Sequence, residues 1–108
     1  MTNQEIADKL DAIGAELEAH PERWTQGAFA RSVDGECTLS SSRGAACWCV
    51  AGFMTRYFGA NMYPDPYVTR AIDDNMFARW NDVPGRTAAE VAAAFHRAAQ
   101  LAREATHA

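Results

Sequence analysis

The segment Trp80-Asn81-Asp82-Val83-Pro84-Gly85-Arg86-Thr87-Ala88-Ala89-Glu90-Val91 constrains the fold of this chain more than any other. It reads as a helix end, a tight turn and a capped helix start with no slack between them. Pro84-Gly85 suits the two central positions of a type II turn: proline presets φ, and glycine accepts the positive φ that follows. Thr87 and Glu90 form a capping box, in which the hydroxyl takes the N–H of Glu90 and the carboxylate reaches back to the N–H of Thr87. Asn81 and Asp82 have short polar side chains suited to bonding the backbone of the turn. Trp80 is expected to be buried, with its indole N–H on a polar partner. Such a joint fixes the angle between two helices, so it speaks to architecture before chemistry.

The core has little branched aliphatic material to draw on. Of 108 residues, 22 are Ala, whereas Ile, Leu and Val together number 12. Phe, Trp, Tyr and Met, with close approach of Ala-lined helices, must fill the interior. The length predicts one domain over residues 1–108.

A first helix is predicted over Asn3–Ala19. Thr2 and Glu5 form its capping box, and Ile6, Leu10, Ile13 and Leu17 recur as one helical stripe. His20-Pro21 ends it. From Trp24 to Leu39 the period changes, and Asp34-Gly35 between short alternating runs predicts a β-hairpin. A second helix is predicted from about Ala45 to Phe58. Its apolar residues cover nearly every face, so it should be central and buried. Gly52 in its interior implies close packing of a neighbour, since glycine there costs about 1 kcal/mol relative to Ala. A third helix should start at Asp65-Pro66 and carry Val68, Ile72, Met76 and Trp80 at four-residue spacing. A fourth follows Thr87 to about Glu104, with residues 105–108 expected to fray. The expected fold is mainly α: about four helices in a compact bundle, with one short β-hairpin between helices 1 and 2.

The net charge of −4 argues against general nucleic-acid binding, which wants a basic face. No apolar run approaches the roughly 20 residues of a membrane span. Thr2 to Asp8 is polar and acidic, unlike a signal peptide. Cys37, Cys47 and Cys49 are an odd number, which in such a chain points to reduced thiols. A cytoplasmic setting is expected.

Four constellations bear on function. Cys47 or Cys49 could act as a nucleophile, with His96 as base and Asn81 or Asp82 as orienter. Against this, Cys49 lies among Trp, Val, Phe and Met, where a cysteine behaves as a small inert hydrophobe. Cys37, Cys47, Cys49 and a histidine could in principle bind a metal, but C-x-C is not the usual zinc spacing, and we expect no metal and no cofactor. Trp24, Trp48 and Trp80 could anchor a partner or fill the core. Finally, Trp48, Tyr57, Met62, Tyr63 and Tyr67 form a candidate partner surface, since a long loop rich in Tyr and Met often marks one.

Three motifs carry a resemblance: Trp24-Thr25-Gln26-Gly27, then Cys47-Trp48-Cys49-Val50-Ala51-Gly52, then Trp80-Asn81-Asp82 with Thr87-Ala88-Ala89-Glu90-Val91. Together they resemble a family of small bacterial and phage proteins catalogued as a domain of unknown function, over about Leu10 to Ala99. Its pattern is W-x-x-G, a C-A-x-G-A-L-like helix, and W-N-D followed by T-x-x-E-V. The resemblance implies a shared fold and a phage or prophage context, and no catalytic residue. The expected function is that of a small cytosolic, non-enzymatic binding protein that modulates or inhibits a host macromolecule, with a protein as partner. The alternative is a small thiol-dependent enzyme using Cys47 or Cys49.

Overall fold

A computed structural model describes residues 1–105. Helix α1 (Asn3–Ala19) forms where the stripe predicts it. Thr2 and Glu5 make the capping box, and Ile6, Leu10, Ile13 and Leu17 are buried. After a single 3-10 turn at Pro21–Arg23, the chain forms β1 (Ala30–Ser32), β2 (Cys37–Thr38) and β3 (Ala45–Trp48). Four helices follow: α2 (Val50–Phe58), α3 (Asp65–Ile72), α4 (Phe77–Asn81) and α5 (Ala88–Ala105). The fold is mainly helical with a small sheet between the first two helices, as the sequence implies. Ala105 closes α5; the rest of the stretch expected to fray lies outside the described residues.

The details differ from expectation in two places. The hairpin gains a third strand, giving an antiparallel sheet of order β2-β1-β3. The Asp34-Gly35 turn forms as predicted: Gly35 N–H reaches Ser32 O at 2.9 Å. Ala45–Trp48, expected as the first turn of helix 2, is instead claimed by β1. Ala30 pairs with Thr38 on one side and Trp48 on the other. Thr25 N–H then donates to Trp48 O at 3.0 Å and covers the outer edge of β3. Helix α2 therefore begins only at Val50, with Cys49 as its cap.

The predicted third helix is broken into α3 and α4. Asp73 takes a left-handed conformation (φ 54°, ψ 42°), which Asp tolerates better than most residues. Asp74 Oδ1 then accepts Met76 N–H at 2.8 Å, an alternative to helical bonding that short acidic side chains offer. The break removes Met76 and Trp80 from the Val68–Ile72 stripe. Met76 is exposed and Trp80 only half-buried.

One contiguous apolar core joins the two halves. Phe53 of α2 meets Phe95 of α5 edge-on with ring centroids 6.4 Å apart, and Trp48 of β3 tilts against Phe53 at 5.4 Å. Along α1 and α5 the packing is close because it is lined by Ala98, Ala99, Ala102 and Gly14, all buried. A Cβ on Gly14 would lie 2.6 Å from the His96 ring. Polar side chains zip the flank of this antiparallel pair. Asp8 and Asp11 hold Arg103 at 3.0 and 2.6 Å, and Asp11 and Glu18 hold the two nitrogens of His96 at 2.7 and 2.9 Å.

Candidate functional site

The sheet, the start of α2 and the end of α4 meet at Asn81. Its exposure is 0%, and it is the one buried polar residue among the described residues. Every polar atom of its side chain is used. Oδ1 accepts the Trp24 indole N–H at 2.6 Å and Val50 N–H at 3.1 Å. Nδ2 donates to Thr25 O at 3.0 Å and to Asp82 Oδ1 at 2.9 Å. Val50 is the first residue of α2, so its N–H has no partner within the helix. Asn81 supplies one from α4.

Neighbouring bonds extend the hub. Gln26 Nε2 donates to Asn81 O and Val83 O at 2.9 and 3.0 Å, and Gly27 N–H donates to Asp82 Oδ1 at 2.9 Å. The expectation that Asn81 and Asp82 serve their own turn is thus corrected. They bond a segment more than 50 residues away, because the turn is satisfied by other means. Arg86 N–H reaches Val83 O at 3.1 Å across Pro84-Gly85, Gly85 has φ of +87°, and Arg86 Nε donates to Trp80 O at 3.1 Å. The Thr87–Glu90 box forms as predicted. Trp80 is corrected as well. Half-buried, it is roofed by the Arg86 guanidinium 3.9 Å from its ring centroid, and its indole N–H has no hydrogen-bond partner among the described residues. Broken off from the α3 stripe, it packs at the edge of the core and is not fully enclosed, so no protein partner for its N–H is required.

Above this hub lies an apolar face. Phe29, just before β1, is 62% exposed, and Leu39, just after β2, is 75% exposed. Phe29 is held from behind. Its carbonyl accepts Cys49 N–H at 3.1 Å and presses on Gly52 so closely that a Cβ there would lie 2.0 Å from the oxygen. The close approach expected at Gly52 is therefore hairpin backbone on helix. A cavity of about 370 Å³ opens beneath Phe29, with Ala28, Cys37, Cys49, Ala78 and Asp82 among its walls. A second of about 280 Å³ lies between Phe29 and Leu39. Sequence reasoning missed both residues. The signal was present: with Ala30 facing the core, strand alternation turns Phe29 to the opposite face.

The thiols and His96 are not assembled. Cys49 is buried, and its Sγ accepts Gly52 N–H at 3.4 Å. Burial pushes its pKa up, and the charge of Asp82 adds to this despite backbone N–H groups that pull the other way. An activated nucleophile needs the reverse. Cys47 is half-buried with Sγ 3.9 Å from Arg31 O, and exposed Cys37 has Arg31 Nη1 3.7 Å from its sulfur. Both nitrogens of His96 are occupied by α1 carboxylates, so neither is free to serve Cys49. Among the described residues, no group of three His, Cys, Asp or Glu could hold a metal ion.

The Tyr/Met surface divides. Trp48 is buried, donates its indole N–H to Ser40 O at 2.9 Å and is covered by Arg56 at 4.1 Å. The Tyr57 hydroxyl donates to Glu16, and its pKa is pushed up to about 12, first by burial and then by that carboxylate. Tyr67 hydroxyl donates to Asn3 Oδ1 at 3.0 Å. Met62 and Tyr63 alone of the five are well exposed, at 73% and 54%.

The three motifs that carry the resemblance thus converge on one residue. Trp24 to Gly27 and the start of α2 are both bonded to the Asn81-Asp82 pair. The family described as of unknown function, DUF6197, matches residues 1–101, nearly the whole chain. The chain belongs to that family. The match extends the resemblance read from the motifs to the first residue of α1 and into the last turns of α5. No curated protein and no solved structure matches the chain. Among the described residues, no helix is long and apolar enough to cross a membrane.

Proposed function

We propose that this protein is a cytoplasmic, non-enzymatic binding protein that recognises a protein partner through the apolar face of its small sheet. In the phage or prophage setting that the resemblance implies, the partner is a host protein that it modulates or inhibits. The observation that carries this reading is Phe29: a large aromatic ring left 62% exposed while its own carbonyl is locked onto Cys49 N–H and Gly52. Exposed apolar residues grouped on a rigid support are what binding surfaces offer, and large aromatics are favoured anchors. Leu39 and the two cavities beside Phe29 extend the same face. The thiol-dependent alternative finds less support, because the buried Cys49 is held away from its thiolate form and His96 is engaged elsewhere.

The test is site-specific photocrosslinking in bacterial lysate, with the photoreactive residue at position 29 or, as control, at the exposed Gln100 of α5. A discrete protein adduct from position 29, absent from position 100 and lost with Leu39→Ser, is expected. Equal labelling from both positions, or rapid alkylation of native Cys49 together with a hydrolytic or transfer activity lost in Cys49→Ser, would overturn the reading.

A further inference from the structure

Asp82 differs from the protein's arginine-paired carboxylates. Asp11, Glu16, Asp74 and Glu90 each hold an arginine. Asp82 has no ion pair among the described residues. Asp82 is exposed but held in place: Oδ1 accepts both Gly27 N–H and the Asn81 amide at 2.9 Å, while Oδ2 faces solvent with no protein partner among the described residues. The Arg31 guanidinium is committed to the carbonyls of Gln26 and Gly35 at 3.2 and 3.0 Å. The result is a positioned anion with an unused oxygen in the wall of a cavity of about 370 Å³, whose other walls are Ala28, Phe29, Ala78 and similar uncharged residues.

We propose that this cavity takes a lysine or arginine side chain of the partner, with the charged head on Asp82 Oδ2 and the aliphatic stem along Phe29 and Ala78. This rests on the reading of the sheet face as a partner surface and adds the chemistry of the residue that enters it. A long basic side chain matches both features, since its stem lies along apolar surface while its head seeks an acceptor. The volume is within the range of small-ligand pockets, roughly 300–1,000 Å³. Phe29 and Leu39 at the rim suit a partner chain that continues across the face rather than a free amine. The net charge of −4 steers a basic partner toward the protein. Because Asn81 and Gly27 hold the carboxylate before binding, little ordering cost falls on this side of the contact.

The experiment is a two-dimensional amide NMR titration of the full chain with N-acetyl-lysine-N′-methylamide, the arginine equivalent and the norleucine equivalent, which keeps the stem and lacks the charge. The basic probes are expected to shift the amides of Gly27, Ala28 and Ala78 with a Kd near 1 mM, and the norleucine probe to bind at least tenfold more weakly, the worth of one charge-assisted hydrogen bond. Asp82→Asn retains an oxygen for Gly27 N–H and keeps the fold, which the unshifted remainder of the spectrum verifies. It should weaken the basic probes about tenfold and leave norleucine unchanged. Norleucine binding as well as lysine, an unaltered lysine affinity in Asp82→Asn, or no shift at these amides up to 50 mM (roughly fifty times the expected Kd) would each overturn the proposal. Such a failure alongside retained crosslinking from position 29 removes only the basic anchor; loss of that crosslink with lysine binding intact removes the sheet-face reading instead.

Discussion

The α1–α5 pair and the region around Asn81 solve the same problem in opposite ways. The helix pair is joined through apolar stripes and small residues, with polar groups at its solvent flank, where Arg103 and His96 meet Asp8, Asp11 and Glu18. The Asn81 region buries its polar groups at the centre and leaves apolar ones, Phe29 and Leu39, at the surface. The first arrangement is a means of folding. The second costs stability unless every buried bond is made, and it leaves an apolar face outside. Short β-strands and one-turn helices cannot hold themselves together, so Asn81 and its partners hold them.

The sharpest way to break this comparison is Asn81→Ala. It strands Val50 N–H, the Trp24 indole N–H and Thr25 O at once. At about 1–3 kcal/mol for each buried group left unpaired, and with the effects not fully additive, a loss on the order of 3–5 kcal/mol is expected in chemical denaturation. A loss below about 1 kcal/mol would mean that apolar packing holds the sheet region just as it holds the helix pair.

A pair of glycine substitutions gives the next largest contrast. Gly52→Ala drives a Cβ to within 2.0 Å of a backbone oxygen, Phe29 O, which is itself bonded to Cys49. The sheet would have to lift, at about 2–3 kcal/mol. Gly14→Ala meets the His96 ring first, at 2.6 Å, a part-exposed side chain that can shift outward at the expense of its bonds to Asp11 and Glu18. The gain in helix propensity, about 1 kcal/mol, offsets much of the loss, so the net change should stay within about 1 kcal/mol. Equal thermal shifts for the two variants would erase the distinction between rigid and yielding contacts.

The smallest effect is the dependence on pH, and it belongs to the helix pair. The Asp11 hydrogen bond raises the pKa of His96 above its ordinary 6.5; partial burial opposes this, and Glu18 adds to the rise. A raised histidine contributes stability that is complete below pH 6.5 and is lost as pH climbs through the folded value. For Asp11, burial pushes the pKa up, but bonds from His96 and Arg103 outweigh it and leave the value below the ordinary 3.8. Its contribution is present above pH 3.8 and is lost as pH falls through the folded value. His96 is more than a third exposed, so solvent screening holds its share below about 1 kcal/mol. Stability should decline slightly as pH rises above 6.5, and His96→Gln should flatten that decline. A decline that persists in His96→Gln would place the titrating group elsewhere.

The same contrast explains what the sequence disclosed. α1 and α5 could be read because a 3.6-residue apolar period and capping boxes are local signals, and the bonds from Thr2 to Glu5 and from Thr87 to Glu90 are the ones the motifs imply. The Pro84-Gly85 turn was legible for the same reason. The role of Asn81 was not, because its partners at Trp24, Thr25 and Val50 lie 31 to 57 residues away, and nothing local separates a turn asparagine from a buried hub. β3 was hidden for a similar cause: Ala45-Ala46-Cys47-Trp48 suits a helix alone, and only β1 and Thr25 make it a strand. The break at Asp73 was written in Asp73-Asp74-Asn75, whose turn chemistry outweighed the four-residue stripe. Within the Tyr/Met surface, Trp48 is buried and Tyr57 and Tyr67 are partly covered, because each has a polar handle engaged by distant Ser40, Glu16 and Asn3.

Native-state hydrogen exchange at Val50 N–H tests the central claim most directly, namely that Asn81 binds the three motif segments into one unit. A first-turn helix amide has no partner within its helix and ordinarily exchanges fast. Bonded to buried Asn81 Oδ1 at 3.1 Å, Val50 should exchange only through global unfolding, with an opening free energy within about 1 kcal/mol of the protein's full stability, and so should the Trp24 indole. Exchange of Val50 and the Trp24 indole at the rate of an unprotected first-turn amide, while α5 stays protected, would show that the hub does not hold in solution and would contradict the account.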